Sequence, residues 1–348
     1  MSVEFLGTGF SLSADYGPEE KSLHESICKQ VDARWPNEKN LVISMTWFGP
    51  QFDNDGWETL VSYENQHVMF DNVFLVATVD PPMLNVGERR QIKNMVGALR
   101  MYELGNFDGP YQFNFFSAVI KDKFTTYTKE QLIPTNFDHI YVNYNRKPKT
   151  HRVAFVKKLM QRDLLKVGTV TLGKDESHIH DQDTNNTLYL TLGEKHEDYV
   201  NVGNKPPVWG FGIPQDYYSL HRLDIWKTTF LYINAATEFN PVDDLFCQQD
   251  TFKPLIGLRP YVINGVQKTY RWLRLHGFKN FNHYWPHIDI ENGDVHDTII
   301  ELIEFLDALS STELLEMYND MLPDLLFNKD RFFEFAQEQK YKMENLFK

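Results

Sequence analysis

Long apolar runs are missing from this chain: no window of about 18 uncharged apolar residues occurs, roughly the length a helix needs to cross a bilayer. The N-terminal stretch MSVEFLGTGFSLSADYG lacks the basic region and apolar core of a secretory signal. Cysteine is almost absent. Cys28 and Cys247 lie far apart and form neither a disulfide framework nor a zinc-type pair, which fits a reducing compartment. These absences predict a soluble, cytoplasmic protein with no membrane partner. A full glycine-rich phosphate loop is also missing; Gly7-Thr-Gly9 is the nearest approach, a lone G-x-G that could close a tight strand-to-helix loop. Basic residues are the minority, 35 Lys+Arg against 48 Asp+Glu, for a formal charge of −13. What is abundant is apolar: 42% of the 348 residues are hydrophobic and 14% aromatic. Such a chain can bury enough surface to offset its ordering entropy, which excludes a disordered or fibrous protein, and its length suits two domains.

The net charge conceals an asymmetry. Lys121 to Asp175 carries 12 Lys+Arg against 5 Asp+Glu, whereas His287 to Lys348 carries 5 against 15. An acidic total therefore does not exclude an anionic ligand, because a cleft lined by one sign focuses its own field. From about Thr298, Ile299, Ile300, Leu302, Ile303, Leu306 and Leu309 recur at helical spacing with Glu301, Glu304 and Asp307 between them, predicting an acidic helical tail with a solvated face. Upstream, Asn40–Phe48, Asn72–Val79 and Tyr111–Ile120 read as buried strands, and Glu88 to Tyr102 as a helix between the last two. A second series starts at His139–Tyr144, continues through a helix from about Arg152 to Leu165, and resumes with strands near Gly168–Thr171, Phe230–Ala235 and Pro260–Asn264. This alternation predicts an α/β protein with mostly parallel sheets. The expected division is an α/β domain over 1–137, a second α/β domain over 138–297 and a helical tail over 298–348, with the polar stretch 173–214 as a long loop or small insertion.

Two segments carry the chemistry. Tyr144-Asn-Arg-Lys-Pro-Lys-Thr-His-Arg152 stands between a predicted strand and a predicted helix, the corner that faces the ligand crevice in doubly wound sheets. Arg146, Lys147, Lys149 and Arg152, with His151, suit a diphosphate there; a solvated basic loop is the plain alternative. Further on, a strand delivers Thr237-Glu238, a polar loop follows, and Asp250-Thr-Phe-Lys-Pro254 opens a short helix. A carboxylate can hold a ribose hydroxyl pair while a lysine one helical turn away takes phosphate. Ser177-His-Ile-His-Asp-Gln-Asp183 places two imidazoles and two carboxylates close together, but in the polar insertion, and no metal is expected. His283, Tyr284, Trp285 and His287 read as aromatic packing of the tail on the core.

The pairing of N-R-K-P-K-T-H-R with a later T-E and T-F-K-P-L-I-G-L-R-P-Y segment, closed by L-R-L-H-G-F-K-N-F, resembles a family of phage, giant-virus and bacterial glycosyltransferases of the GT-B fold. Its donor half is similar to that of the fucosyltransferases. The resemblance spans about Tyr141 to Phe281 and implies two Rossmann-like domains facing a cleft, with a UDP-sugar as co-substrate and no cofactor. It places Arg146, His151, Arg152 and Lys253 at the donor diphosphate and Glu238 nearby, with Thr251 in the same motif. Where the family has Glu-Lys before Thr-Phe-Lys-Pro, this chain has Gln249-Asp250, so Asp250 or Glu238 takes the ribose contact or the donor differs. The acceptor domain would be N-terminal and, for transfer with inversion, supply a base; Asp80, then Asp53 and Asp55, follow predicted strands there, although turn or cap roles also suit them. Gly7 and Gly9 would lie near the sugar.

The composition also resembles that of large tailed phages, some of which glucosylate or arabinosylate hydroxymethylcytosine in their own DNA. That likeness implies double-stranded DNA as acceptor, the host cytoplasm as location, and a phosphate track built from Lys121, Lys123, Lys147 and Lys149, joined by Lys129, Arg146, Lys157 and Lys158. A glycan-directed transferase and a non-catalytic nucleotide- or DNA-binding module remain alternatives.

Overall fold

The computed structural model describes residues 4–8, 18–45, 54–77, 86–105, 110, 112–114, 117–118, 124, 126–145, 149–172, 220, 223–236 and 249–348. In chain order these form β1 (Glu4–Thr8), α1 (Pro18–Arg34), β2 (Asn40–Met45), α2 (Asn54–Asn65), β3 (Asn72–Ala77), α3 (Val86–Met95) and β4 (Arg100–Gly105). There follow α4 (Lys129–Leu132), β5 (His139–Asn145), α5 (Thr150–Gln161), β6 (Gly168–Leu172), α6 (Leu223–Lys227), β7 (Thr229–Ala235), α7 (Gln249–Ile256) and β8 (Tyr261–Asn264). The last helices are α8 (Lys268–Leu275), α9 (Val295–Asp307) and α10 (Ser311–Glu344).

The strands make two four-stranded sheets, parallel throughout, ordered β1-β2-β3-β4 and β6-β5-β7-β8. Parallel sheets are covered on both faces, so their strands read as near-continuous apolar runs; β7 is buried along its whole length. In the first sheet, Val42, Phe74, Val76 and Leu104 join Leu23, Ile27 and Val31 of α1 in one core. Leu41, Ile43, Val73 and Leu75 join Leu60 of α2 and Ile92 of α3 in another.

Two expectations are corrected here. The helix expected over Glu88–Tyr102 ends at Met95, and Arg100–Gly105 is instead the edge strand β4. Gly97 (φ +57°) provides the left-handed residue that stops the helix. Charges disguised the strand: Arg100 pairs with Glu38, and Glu103 with Arg89 at 3.2 Å, while Tyr102 stacks on Phe74 at 4.9 Å. Nor do the described residues of the strand expected over Tyr111–Ile120, 112–114 and 117–118, form one. Gln112 makes an isolated bridge to Gly105. The Asn114 side chain then accepts from the Ser117 N–H at 2.8 Å, and the Ser117 hydroxyl donates to the Asn114 carbonyl at 3.0 Å, a local turn that competes with strand pairing.

The C-terminal helices start on conventional caps. The Asp294 side chain accepts from the Asp297 N–H, and Ser310 with Glu313 forms a capping box. Ile299, Ile300, Leu302, Ile303 and Leu306 are buried, whereas Glu301, Glu304 and Asp307 face solvent. Helix α10 touches both halves of the chain: Phe332 meets Phe252 of α7 at 5.3 Å, and Phe347, just beyond its end, meets Trp35 at 5.0 Å. Trp285 is fully buried, the Tyr284 hydroxyl donates to the Asp320 carbonyl at 2.9 Å, and His287 lies edge-on to Phe305, so this aromatic stretch seats α9 and α10.

Candidate functional site at the carboxyl ends of the second sheet

In the order β6-β5-β7-β8 the chain runs from β5 outward to β6 and then returns to the opposite side of β5 for β7. That reversal makes the β5/β7 boundary a topological switch point, where crossovers diverge and leave a crevice beyond the carboxyl ends of the strands. The first sheet, ordered sequentially, has no such reversal among its described strands.

Helix α5 opens at this boundary. Its cap residue Lys149 makes no side-chain capping bond. Arg152, 6% exposed, is turned onto the end of β7: Nε donates to the Ala236 carbonyl at 3.3 Å and one terminal nitrogen to the Ala235 carbonyl at 2.6 Å. Its guanidinium thus ties the start of α5 to the last residues of β7. His151 also lies on Ala236, with Nε2 2.9 Å from the carbonyl oxygen. A carbonyl only accepts, so Nε2 carries the proton and Nδ1 is left as an acceptor. Burial pushes the imidazole down to about 4, helped by Arg152, Lys149 and His296, against the opposing pull of the Ala236 carbonyl. His151 is therefore neutral near pH 7 and adds no positive charge to this corner. His296 of α9 packs on Phe155 of α5 at 5.4 Å and is likewise lowered, first by burial and then by Lys158.

On the far side of β7, α7 carries Asp250, Thr251 and Lys253. Lys253 is 2% exposed, with Nζ 2.9 Å from an Asp250 carboxylate oxygen whose side chain remains partly open to solvent. A buried ammonium needs such a partner. The Asn234 amide donates to the Thr251 hydroxyl at 3.2 Å, fixing α7 to the end of β7. The opposite flank of the helix is apolar, with Phe252 buried against Phe332 and Phe335.

The strand ends also carry asparagines that motif reading overlooks. Asn143 and Asn145 of β5, Asn234 of β7 and Asn264 of β8 are all buried. Asn143 donates to the Ile233 carbonyl at 2.9 Å and Asn145 to the Asn143 side-chain oxygen at 2.5 Å. Neither atom of the Asn264 amide has a hydrogen-bond partner. A buried polar atom left unmet costs about 1–3 kcal/mol. The signal was present in the sequence as Tyr-Val-Asn-Tyr-Asn, Tyr-Ile-Asn-Ala and Val-Ile-Asn: an asparagine closing, or nearly closing, three otherwise apolar strands.

The structure thus brings His151, Arg152, Asp250, Thr251 and Lys253 to one end of one sheet, with Lys149 at the mouth of α5. Arg146, Lys147 and Glu238 lie outside the described residues, as do Asp53, Asp80, Gly9, Lys121, Lys123 and the His178/His180 segment. Gly7 sits within β1, opposite Ser44, near the carboxyl end of that strand, and Asp55 is the second residue of α2. Lys158 of the expected basic track is engaged with Asp297 at 2.6 Å and Asp294 at 3.8 Å. Among the described residues no group of three or more His, Cys, Asp or Glu could hold a metal ion, and no helix is long and apolar enough to cross a membrane. No protein-family model matches the chain, and no curated protein is significantly similar to it.

Proposed function

We propose that this chain is a nucleotide-sugar-dependent glycosyltransferase of GT-B type, with the donor held at the carboxyl ends of β5, β7 and β8. The observation that carries the reading is the convergence of α5, bearing Arg152, and α7, bearing Asp250 and Lys253, on a topological switch point. Helix N-termini and cations at such a point favour a diphosphate. Asp250, partly exposed beside Lys253, is suited to the ribose hydroxyls, which answers the missing Glu-Lys of the family motif. In transfer, the acceptor hydroxyl gives its proton to a carboxylate of the N-terminal half, with Asp80, Asp53 and Asp55 as candidates. Its oxygen then bonds to the anomeric carbon as the bond from that carbon to the diphosphate breaks. Lys253 and Arg146 would stabilise the charge developing on the departing nucleoside diphosphate.

Hydroxymethylcytosine in double-stranded DNA is the acceptor we put forward. The test is mass spectrometry of nucleosides digested from such DNA after incubation with UDP-pentoses and UDP-hexoses. A mass increase on the modified cytosine is the expected result and identifies the sugar class. Transfer only to a glycan acceptor overturns the DNA assignment, and a melting temperature raised by UDP without turnover of any donor reduces the protein to a binding module.

A further inference from the structure

The Asn264 side chain is fully enclosed at the end of β8, yet both its donor and its acceptor lack a hydrogen-bond partner. Buried amides in folded proteins are almost always satisfied, so an orphan calls for an occupant or a cause. Its surroundings say what could occupy it. Ala235 is the register partner of Asn264. Val142 is paired with Tyr232, so Asn145 falls level with Ala235, and strand alternation puts Asn143, Asn145, Ala235 and Asn264 on one face. Ala235, with a single methyl group, stands between the amides of Asn145 and Asn264. Asn234 points to the opposite face, where it meets Thr251 of α7. Because α7 takes the Asn234 face, the crossover helix α5, which leaves β5 in the other direction, lies on the Asn264 face, and α9 packs on β5, β8 and α5, meeting the last through His296 and Phe155.

The row itself carries no charged side chain, and the Arg152 guanidinium beside it is engaged by the Ala235 and Ala236 carbonyls. Amides and a neutral imidazole offer both donors and acceptors, whereas a phosphate could use only the donors and would be repelled by the amide oxygen. A hydroxyl, which donates and accepts at once, matches both halves of a carboxamide. We infer that Asn264, across Ala235 from Asn145, binds a hydroxyl pair of the donor, and that it helps to determine which donor is accepted. This inference rests on the donor reading above. Two parts of a nucleotide sugar offer vicinal hydroxyls, the ribose and the transferred sugar, and they are separable by experiment.

The full chain and its Asn264→Leu and Asn264→Ala variants are compared by melting temperature without ligand and by calorimetric titration with UDP, UDP-glucose and UDP-arabinose. Leucine keeps the branched four-atom side chain and needs no hydrogen bond, so the Asn264→Leu protein should still fold and melt near the parent, its greater bulk offset by removal of the orphan amide. Its affinity for the UDP-sugars should fall about tenfold or more, because the bound hydroxyls then lose their partners. Loss confined to the UDP-sugars assigns Asn264 to the transferred sugar; equal loss for UDP assigns it to the ribose. Unchanged affinity in Asn264→Ala and Asn264→Leu, with lowered melting temperatures, overturns the inference and makes the amide a structural group satisfied by water. A parent protein that binds none of the three ligands defeats the donor reading and this inference together. A parent that binds UDP-sugars, with variants that bind equally well, defeats this inference alone.

Discussion

Gln30 and Leu346, 316 positions apart in the chain, are joined: the Leu346 N–H donates to the Gln30 side-chain oxygen at 3.0 Å. The same amide donates through Nε2 to the Met343 carbonyl at 3.1 Å. A helix ends with carbonyls that lack intrahelical donors, and here a side chain from α1 satisfies one of them. The C-terminus of α10 is thereby fixed to the first sheet, while its middle packs on α7 beside the candidate donor site.

That link should matter to stability. Phe347→Ala removes a ring lying against Trp35 and Phe74 and should lower the unfolding free energy by about 1–3 kcal/mol, reduced from a full core deletion because Phe347 is only half-buried. Urea denaturation reads the change as a shifted midpoint; an unchanged midpoint means that the α10 end contributes no net anchoring.

Acid should destabilise the fold in a defined window. Burial pushes both His24 and His151 from 6.5 to about 4, so both are neutral in the folded chain and protonate more readily once unfolded. Folded-state affinity for protons is the lower one, so the stability is fully present above pH ~6.5 and is lost progressively as pH falls from there to about 4. For His24, the more deeply buried of the two, the loss is on the order of 3 kcal/mol. Unfolding free energies measured at pH 7, 6, 5 and 4 should fall steadily, and His24→Gln should flatten part of the slope. A slope that the variant leaves untouched rules His24 out as a contributor.

Lys253 tests the donor site directly. Lys253→Ala should reduce sugar transfer by at least about tenfold, the scale of one lost charge-assisted contact. Asp250 is partly exposed and can be hydrated once its partner is gone, so circular dichroism should still report a folded chain. Steady-state turnover of the UDP-sugar provides the check, and parental activity would remove Lys253 from the chemistry.

Gly257→Ala should be severe. A Cβ at this position would sit 2.4 Å from a ring atom of Trp226, which is fully buried and donates through Nε1 to the Gly257 carbonyl at 2.9 Å. Neither ring nor backbone can yield cheaply, so a loss of more than about 2 kcal/mol is expected. Thermal melts of the purified variant decide it; a parental melting temperature contradicts the close packing.

Asn40–Met45, Asn72–Ala77, β5, β7 and β8 were legible because strands buried on both faces must be apolar along their length, whatever they pair with. The strand–helix corner before Thr150 and the helix carrying Lys253 were legible for the same local reason, as were the capped helices of the C-terminus. Edge strand β4 was not. Its Arg100 and Glu103 look like helix-surface charges until Glu38 and Arg89, distant in sequence, are seen to pair with them. Tyr111–Ile120 failed in the opposite sense, since the Asn114 side chain satisfies local backbone groups that a strand would have used.

Composition and periodicity by themselves determined the α/β class, the parallel strands and the segments that carry cations and carboxylates, because these follow from short-range sterics and burial. Strand order did not follow from them. Whether β7 returns beside β5 or continues past β6 is a long-range choice, and it alone creates the switch point that gathers Arg152, Lys253 and Asn264 at one sheet end. Charge state was decided there as well. His151 stands among cations in a basic stretch of sequence, yet burial keeps it neutral despite the opposing pull of the Ala236 carbonyl, because desolvation is a property of the surrounding fold.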